Sequence, residues 1–231
     1  MKHIIDSRPC MAAPVRVLLV AALLLGCTLG APSQAVAQEG SYRPGLPSQQ
    51  TTTLVTPPRG NQAFLLGHAV GTQGYVCLPR GAGAAWTVNP ARPEATLFTD
   101  LFENDVQIVT HFLSPNTHPN RFAPNPLPFG NATWQNSFDS SKVWAQAVQS
   151  IDAGTDSSCP NTGSISCLLL QVIGSDSGPG GGQSLLKTTF IQRLNTKGGS
   201  APAEGCATTS DVGNQKLVPY TADYYFFRKN D

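Results

Sequence analysis

The histidines are the first residues in this sequence whose chemistry needs an explanation. His111 lies in an apolar run, on the same face of a predicted strand as Val109. That setting favours a hydrogen-bonded structural role, with a ligand contact or a general base as the alternative. Six residues separate His111 from His118, which is not a spacing typical of metal sites, and no carboxylate cluster accompanies the pair. We therefore expect no metal site.

Polar and aromatic side chains inside otherwise apolar strands form a second group of candidates. Gln73 and Tyr75 alternate with Cys77 on one face of a strand, and Arg193 follows Gln192 near the end of another. Aromatic rings beside such polar groups are typical of a small-molecule or sugar site. They are equally typical of a core whose polar tips bond the backbone, and the core interpretation is favoured. The candidate binding residues are Gln73, Tyr75, His111, Trp134 and Arg193.

Motifs for catalysis or cofactor binding are incomplete. Asp176-Ser177-Gly178-Pro179 is superficially similar to the nucleophile segment of trypsin-like proteases. Ser175 replaces the leading glycine of that segment, however, and the upstream histidine motif is missing, so turn chemistry explains the segment better. The sequence also lacks a Gly-x-Ser-x-Gly elbow, a P-loop and a complete dinucleotide loop. We expect no cofactor.

The composition excludes several classes of protein. The chain has 231 residues and a formal net charge of +1, and 13% of its residues are charged. An ordinary soluble domain has about 25% charged residues. A basic nucleic-acid binder and a highly charged coiled coil are therefore excluded. We expect a monomer without a nucleic-acid partner.

Residues 1–37 are predicted to be a secretion signal. Arg16 precedes an apolar run, and Ala35-Val36-Ala37 supplies a cleavage site before Gln38. Removal of this segment deletes three basic residues and one acidic residue, which changes the net charge from +1 to −1. The predicted location is secreted or periplasmic, without membrane contact after cleavage. A lipoprotein anchored at Cys27 is the alternative, and Met11 is an alternative start.

Four cysteines remain after signal removal, which indicates two disulfides in an exported chain. Sequence alone leaves all three pairings open. We favour Cys159 with Cys167, because they enclose a short segment rich in turn formers, and Cys77 with Cys206.

The elements that position these residues are predicted to be strands. Residues 38–60 are rich in Pro, Ser, Thr and Gln, which indicates a mobile lead-in outside the core, and 61–231 form the β domain. Ser114 to Asn131 holds five prolines, which predicts a long loop. Residues 94–103 fit a helix or a strand equally well. The strands are predicted near Phe64–Ala69, Gln73–Leu78, Ala85–Val88, Thr96–Asp100, Gln107–Leu113, Lys142–Ser150, Cys167–Ile173, Leu185–Leu194 and Tyr220–Arg228.

This pattern predicts an all-β fold, a single antiparallel sandwich or barrel-like domain with long Pro- and Gly-rich loops. Several segments give a more specific resemblance, among them Gly71-Thr72-Gln73-Gly74-Tyr75-Val76-Cys77, Ile191-Gln192-Arg193-Leu194-Asn195-Thr196 and Pro219-Tyr220-Thr221-Ala222-Asp223-Tyr224. Together they resemble the secreted family catalogued as domain of unknown function 3455, over roughly Phe64 to Phe227.

The resemblance implies an exported β-rich domain with no established activity. A tryptophan is common in that family where this chain has Cys167, which supports the pairing of Cys159 with Cys167. The long proline-rich loop replaces a shorter link in the family pattern.

Three functional hypotheses follow. The first is a binding module for a small molecule or glycan that uses the candidate binding residues. The second is a hydrolase-type enzyme of unknown substrate, with His111 as base and Arg193 as oxyanion or carboxylate partner. The third is a structural component of the envelope or cell wall. Clustering of the candidates around an open concavity favours the first two, and scattering or complete burial favours the third.

Overall fold

The computed structural model describes residues 54–101, 104–117 and 130–230, except for the side chains of residues 90, 91 and 93. The predicted signal, Cys27, His118 and residues 38–53 of the lead-in lie outside the described residues. One short 3-10 helix, Thr209–Asp211, accompanies eight strands. The strands are β1 Asn61–Arg80, β2 Gly83–Leu101, β3 Asn104–Ser114, β4 Asn131–Asn136, β5 Lys142–Ile151, β6 Cys167–Asp176, β7 Thr188–Gly198 and β8 Gln215–Lys229.

The eight strands form a closed barrel in which each strand pairs antiparallel with the next. β8 returns to pair with β1 from Asn61↔Lys229 to Val76↔Gln215, which closes the ring. The all-β prediction is confirmed, and of its two options the barrel is the one formed. Closure leaves no open sheet edge around the ring, which is how up-and-down barrels avoid edge-to-edge pairing.

The two ends of the barrel differ in their connections. At one end, called here the long-loop end, residues 81–82, 115–130, 152–166 and 199–214 join successive strands. At the other end, called the short-loop end, the connections are 102–103, 137–141 and 177–187. Both disulfides, Cys77–Cys206 and Cys159–Cys167, lie at the long-loop end, and they are the two pairs favoured from the sequence.

Alternate residues of each strand point inward and form the main core. Leu97, Val109, Ile191 and Phe226 are among its fully buried members. Leu185, from the connection between β6 and β7, joins this core at the short-loop end.

A second apolar cluster lies on the outside of the barrel. Leu169 and Leu194 point outward there and pack with Val55 and the Cys159–Cys167 disulfide. β6 is therefore covered on both faces, which accounts for its nearly continuous apolar sequence. Val55 belongs to the predicted lead-in, so the expectation that residues 38–60 take no part in a core is wrong for this residue. Its burial is explained by the apolar surface of β6 and β7 that it covers.

Several element boundaries differ from the predictions. The helix alternative for 94–103 is wrong, because 94–101 belong to β2. The first two predicted strands are one continuous strand, β1, and the next two are both parts of β2. β4 was not predicted. β3 ends at Ser114 and β4 begins at Asn131, the bounds of the predicted long loop, and residues 118–129 of that loop lie outside the described residues.

Among the described residues there is no helix of the length and apolar character needed to cross a membrane. The two disulfides are compatible with an extracellular or periplasmic location.

Candidate functional site

Four of the candidate residues are drawn together because strand alternation turns them toward the barrel interior. His111 of β3 and Trp134 of β4 are direct cross-strand partners. Arg193 of β7 pairs with Leu168 and Tyr224, which both contribute to the main core. Tyr75 is buried on β1, five residues before that strand ends. Tyr75 and His111 lie in the halves of β1 and β3 nearer the long-loop end. Arg193 lies at the middle of β7 and reaches the carbonyl of Ser166 at that end, and Trp134 lies near the middle of β4.

An aromatic stack occupies this part of the interior. The rings of His111 and Trp134 are stacked, with centroids 4.1 Å apart and planes 10° from parallel. Tyr224 of β8 is tilted against both rings, at 6.0 Å from His111 and 6.1 Å from Trp134. Trp134 is 1% exposed and His111 is 6% exposed. This stack is therefore enclosed by protein.

Two tyrosines connect the stack to Arg193. The hydroxyl oxygens of Tyr220 and Tyr224 lie 3.0 Å apart, within hydrogen-bond distance. The guanidinium carbon of Arg193 lies 6.0 Å from the centre of the Tyr220 ring. Contacts therefore run without interruption from Trp134 through His111, Tyr224 and Tyr220 to Arg193, and this group is called here the interior cluster.

Tyr75 spans the interior from β1 to the end of β7. Its hydroxyl donates a hydrogen bond of 2.7 Å to the carbonyl oxygen of Gly199. Gly199 has a φ of +80°, and a β-carbon there would come within 2.9 Å of Ile165 and Tyr220. Glycine is required at this position for both reasons. The backbone conformation that it allows places the carbonyl of Gly199 within hydrogen-bond distance of the Tyr75 hydroxyl.

Gln73 is the candidate that the structure does not connect to the others. It shares the inward face with Tyr75 and Cys77, as predicted, because β1 keeps a regular register with β8 from Gly71 to Val76. Its side-chain amide donates to the carbonyl of the adjacent Gly74, at 3.4 Å. Gln73 is half-buried, and no contact joins it to the interior cluster among the described residues.

The electrostatic state of His111 follows from its burial. Burial lowers the pKa of His111 to about 4, an effect that the nearby charge of Arg193 reinforces and a backbone hydrogen bond partly offsets. The Nδ1 atom donates that hydrogen bond to the carbonyl of Thr133, at 2.9 Å. The ring is thus neutral near pH 7, which leaves Nε2 as an acceptor. Burial likewise raises the pKa of Tyr75 and of Tyr220.

Two donors in this group have no acceptor. The indole Nε1 of Trp134 and the Nε of Arg193 are buried, and neither makes a hydrogen bond to any of the described residues. The Nη2 of Arg193 donates to the carbonyl of Ser166, at 2.8 Å. Buried donors without an acceptor are uncommon in proteins, and each one needs an explanation.

Solvent access is greatest toward the long-loop end. Gln73 and Arg193 are half-buried, whereas Tyr75, His111 and Trp134 are buried. Three of the five candidates are therefore buried rather than placed around an open concavity, which by the criterion set from the sequence counts toward the structural hypothesis. On its β5 side, β4 pairs with no more of that strand than Lys142–Trp144. Beyond that point, residues 146–150 of β5 are exposed, including Ala147, which pairs with the inward-facing Leu170.

A separate cavity of about 530 Å³ lies on the surface of the long-loop end. Trp86 and Lys216 line it, and it adjoins the Cys77–Cys206 disulfide through Gly205. None of the candidate residues lines this cavity. The described residues also contain no group of three or more His, Cys, Asp or Glu side chains placed to hold a metal ion.

Sequence reasoning missed Tyr220 and Tyr224, the two residues that connect the interior cluster. The signal was present in the alternation of Tyr220, Ala222, Tyr224 and Phe226, which places four residues on one face of β8. A continuous strand at the C-terminus was predicted, but its inward face was not assigned.

Fold and site together define an all-β protein, a closed antiparallel barrel with an aromatic and polar cluster inside one end. A family model described as a protein of unknown function, DUF3455, matches residues 58–228. The chain belongs to that family, as the resemblance indicated. No curated protein and no solved structure matches the chain.

Proposed function

We propose that this protein is a binding module that holds one small molecule inside the long-loop end of its barrel. The observation that carries the proposal is the interior cluster, where Trp134 Nε1 and Arg193 Nε are buried donors that find no acceptor in the described part of the chain. An acceptor atom on a ligand would satisfy them. Eight-stranded barrels are of a size to be filled by side chains or to hold one small ligand at the mouth.

The position of the cluster supports binding from the long-loop end. The exposed inner positions, including Ala147, lie at that end, and Arg193 is the member of the cluster that contacts solvent. A ligand that entered there would meet Arg193 and Tyr220 before the stack of His111 and Trp134. Its size is limited by the barrel, which favours a compact molecule or a single sugar unit over a long glycan.

The enzyme hypothesis receives less support from the same residues. A general base works best when its pKa lies near the operating pH. The pKa of His111 is about 4, and its Nδ1 is occupied by the carbonyl of Thr133. The neutral imidazole is better suited to accept a hydrogen bond from a ligand than to remove a proton.

The test is a thermal-shift screen of the purified protein against saccharides, small lipids, aromatic compounds and metal ions. We expect at least one organic compound to raise the melting temperature, because a ligand that binds only the folded state stabilises it. Trp134→Phe is the site variant and Trp86→Phe is its matched control, since Trp86 Nε1 already donates to the carbonyl of Glu204. The shift should be lost or reduced in the first variant and kept in the second.

Two results would contradict the proposal. One is a screen in which no organic compound shifts the melting temperature. The other is a shift that survives Trp134→Phe and disappears in Trp86→Phe, which would assign binding to the surface cavity beside Trp86 instead.

A further inference from the structure

Arg193 carries a positive charge that the protein does not neutralise. The ion pairs among the described residues join His68 to Asp223, Arg92 to Glu94 and Lys142 to Asp176, and none involves Arg193. Its Nη2 donates to the neutral carbonyl of Ser166, and its guanidinium also lies within hydrogen-bonding reach of the neutral hydroxyl of Tyr220, while its Nε has no acceptor among the described residues. The guanidinium is thus half-buried at the long-loop end without a carboxylate.

The titratable groups whose pKa responds to the charge of Arg193 are neutral near pH 7. The charge of Arg193 acts on Tyr75, His111 and Tyr220, as its effect on their pKa values records. The tyrosine hydroxyls stay protonated because burial raises the pKa of Tyr75 and Tyr220, and His111 stays uncharged because burial lowers its pKa. Nothing in this shell competes with an incoming anion.

Removing a charge from water is costly for folding. A buried charge is therefore usually paired with an opposite charge, and one without such a partner suggests a functional role. An arginine presents several N–H donors in a planar fork that matches the two oxygens of a carboxylate. Arg193 contacts a buried aromatic group, which consists of Tyr220, Tyr224 and the stack of His111 on Trp134.

We infer that the ligand is an organic carboxylate with a compact apolar or aromatic body, and that Arg193 binds its carboxylate group. This inference rests on the proposed function, because it names the ligand class of the same interior site. The carboxylate pairs with the guanidinium at the accessible side, and the apolar body lies against the aromatic side chains of the cluster.

The experiment uses isothermal titration of the full domain with a series of carboxylates, namely benzoate, cinnamate, 4-phenylbutyrate, hexanoate and octanoate, each beside its primary amide. Acid and amide have nearly the same shape and differ in charge. At least one acid should bind about tenfold or more tightly than its amide, the difference that a charge-assisted hydrogen bond gives. The binding constant should fall as salt is raised.

The variants separate Arg193 from a matched arginine. Arg193→Met should remove the preference for the acid, and Arg193→Lys should keep part of it because the charge remains. Arg228→Met is the control, since Arg228 also lies over an aromatic ring, Phe64, and also has a buried Nε without a partner. It belongs to the short-loop end, so the preference should be unchanged.

The outcomes separate this inference from the proposed function. If no acid of the series binds, or if acid and amide bind equally, the inference is overturned. An uncharged compound that still depends on Trp134 in the thermal-shift screen would then leave the proposed function standing. If the preference for the acid follows Arg228 rather than Arg193, the carboxylate binds at the short-loop end, and both the role given to Arg193 and the proposed site are wrong.

Discussion

The two ends of the barrel interior are built by the same strand alternation but contain different chemistry. At the short-loop end, Leu97, Phe226 and Leu185 are fully buried and apolar. At the long-loop end, the inward positions hold a histidine, three tyrosines and an arginine, beneath three long connections and both disulfides. The difference indicates that one end stabilises the fold, whereas the other is organised around polar groups.

Polar groups at an interior site are usually less stabilising than apolar residues of the same size, and their retention is typical of functional sites. At the long-loop end the two disulfides offset this loss of stability. They link the connections covalently, and these connections contribute few residues to the main core. The comparison therefore predicts which changes reduce stability most and which affect stability little.

The largest effect should come from removing the Cys77–Cys206 disulfide. This bond links residues 129 positions apart, so on the chain-entropy model the paired alanine substitutions lower the free energy of unfolding by about 5 kcal/mol. The matched removal of Cys159–Cys167, which spans 8 positions, should cost about half as much. Denaturant unfolding of both double variants measures the ratio. An equal loss from the two removals would contradict the ranking.

The next largest effect is expected at the short-loop end. Phe226 is fully buried in the main core, so Phe226→Ala should lower the free energy of unfolding by about 3–5 kcal/mol. The measurement is denaturant unfolding, and ligand binding by the folded fraction should be unchanged. A loss below about 1 kcal/mol would show that this end does not carry the stability assigned to it.

A smaller effect is expected from Tyr224→Phe at the long-loop end. This change deletes only the hydroxyl that lies 3.0 Å from the hydroxyl of Tyr220, so the loss should be about 1 kcal/mol. The free energy of ligand binding should weaken by more than the free energy of unfolding falls. A stability loss as large as that of Phe226→Ala would remove the distinction between the two ends.

The smallest effect concerns a carboxylate at the short-loop end. Burial raises the pKa of Asp139, but hydrogen bonds from Ser141 and Ser184 lower it by more than burial raises it. The net effect is a pKa of about 2. Because the folded pKa lies below the unfolded value of 3.8, the stabilisation is present above about pH 4 and is lost as the pH falls toward 2.

Asp139→Asn should therefore lower stability near neutral pH by about 1 kcal/mol or less, since Asp139 is partly exposed and solvent weakens the effect. The stability of the variant should also change less than that of the wild type between pH 5 and pH 2. Thermal unfolding at a series of pH values measures both. Parallel pH profiles for the two proteins would contradict the role given to Asp139.

Period-two alternation was sufficient to predict the fold class, most strands and the face that Tyr75 shares with Cys77. It failed where the barrel imposes close contacts. Gly71 looks like the end of a strand in the sequence, but an added β-carbon would lie 2.1 Å from the carbonyl oxygen of Glu94. Glycine there permits the close approach of β1 and β2, so the strand continues.

β4 was missed for a different reason. Only Ala132 and Trp134 are apolar among its six residues, and it follows a long proline-rich segment. A strand this short is defined by pairing with β3, which a single sequence does not reveal. Likewise, the contact between Tyr220 and Arg193 depends on the neighbouring positions of β7 and β8 in the closed ring, so sequence spacing could not predict it.

The most direct test of ligand binding inside the long-loop end is an NMR titration of the indole N–H signals. The chain has three tryptophans, each in a different setting. Trp86 donates to the carbonyl of Glu204 and Trp144 to the hydroxyl of Ser114, whereas Trp134 Nε1 has no acceptor.

Addition of the carboxylates and amides used in the calorimetric series should move the Trp134 indole signal most, with little change for Trp86 and Trp144. That result would place the ligand beside the interior cluster. Movement of the Trp86 signal alone, or no movement of any indole signal with any compound that raises the melting temperature, would contradict the account.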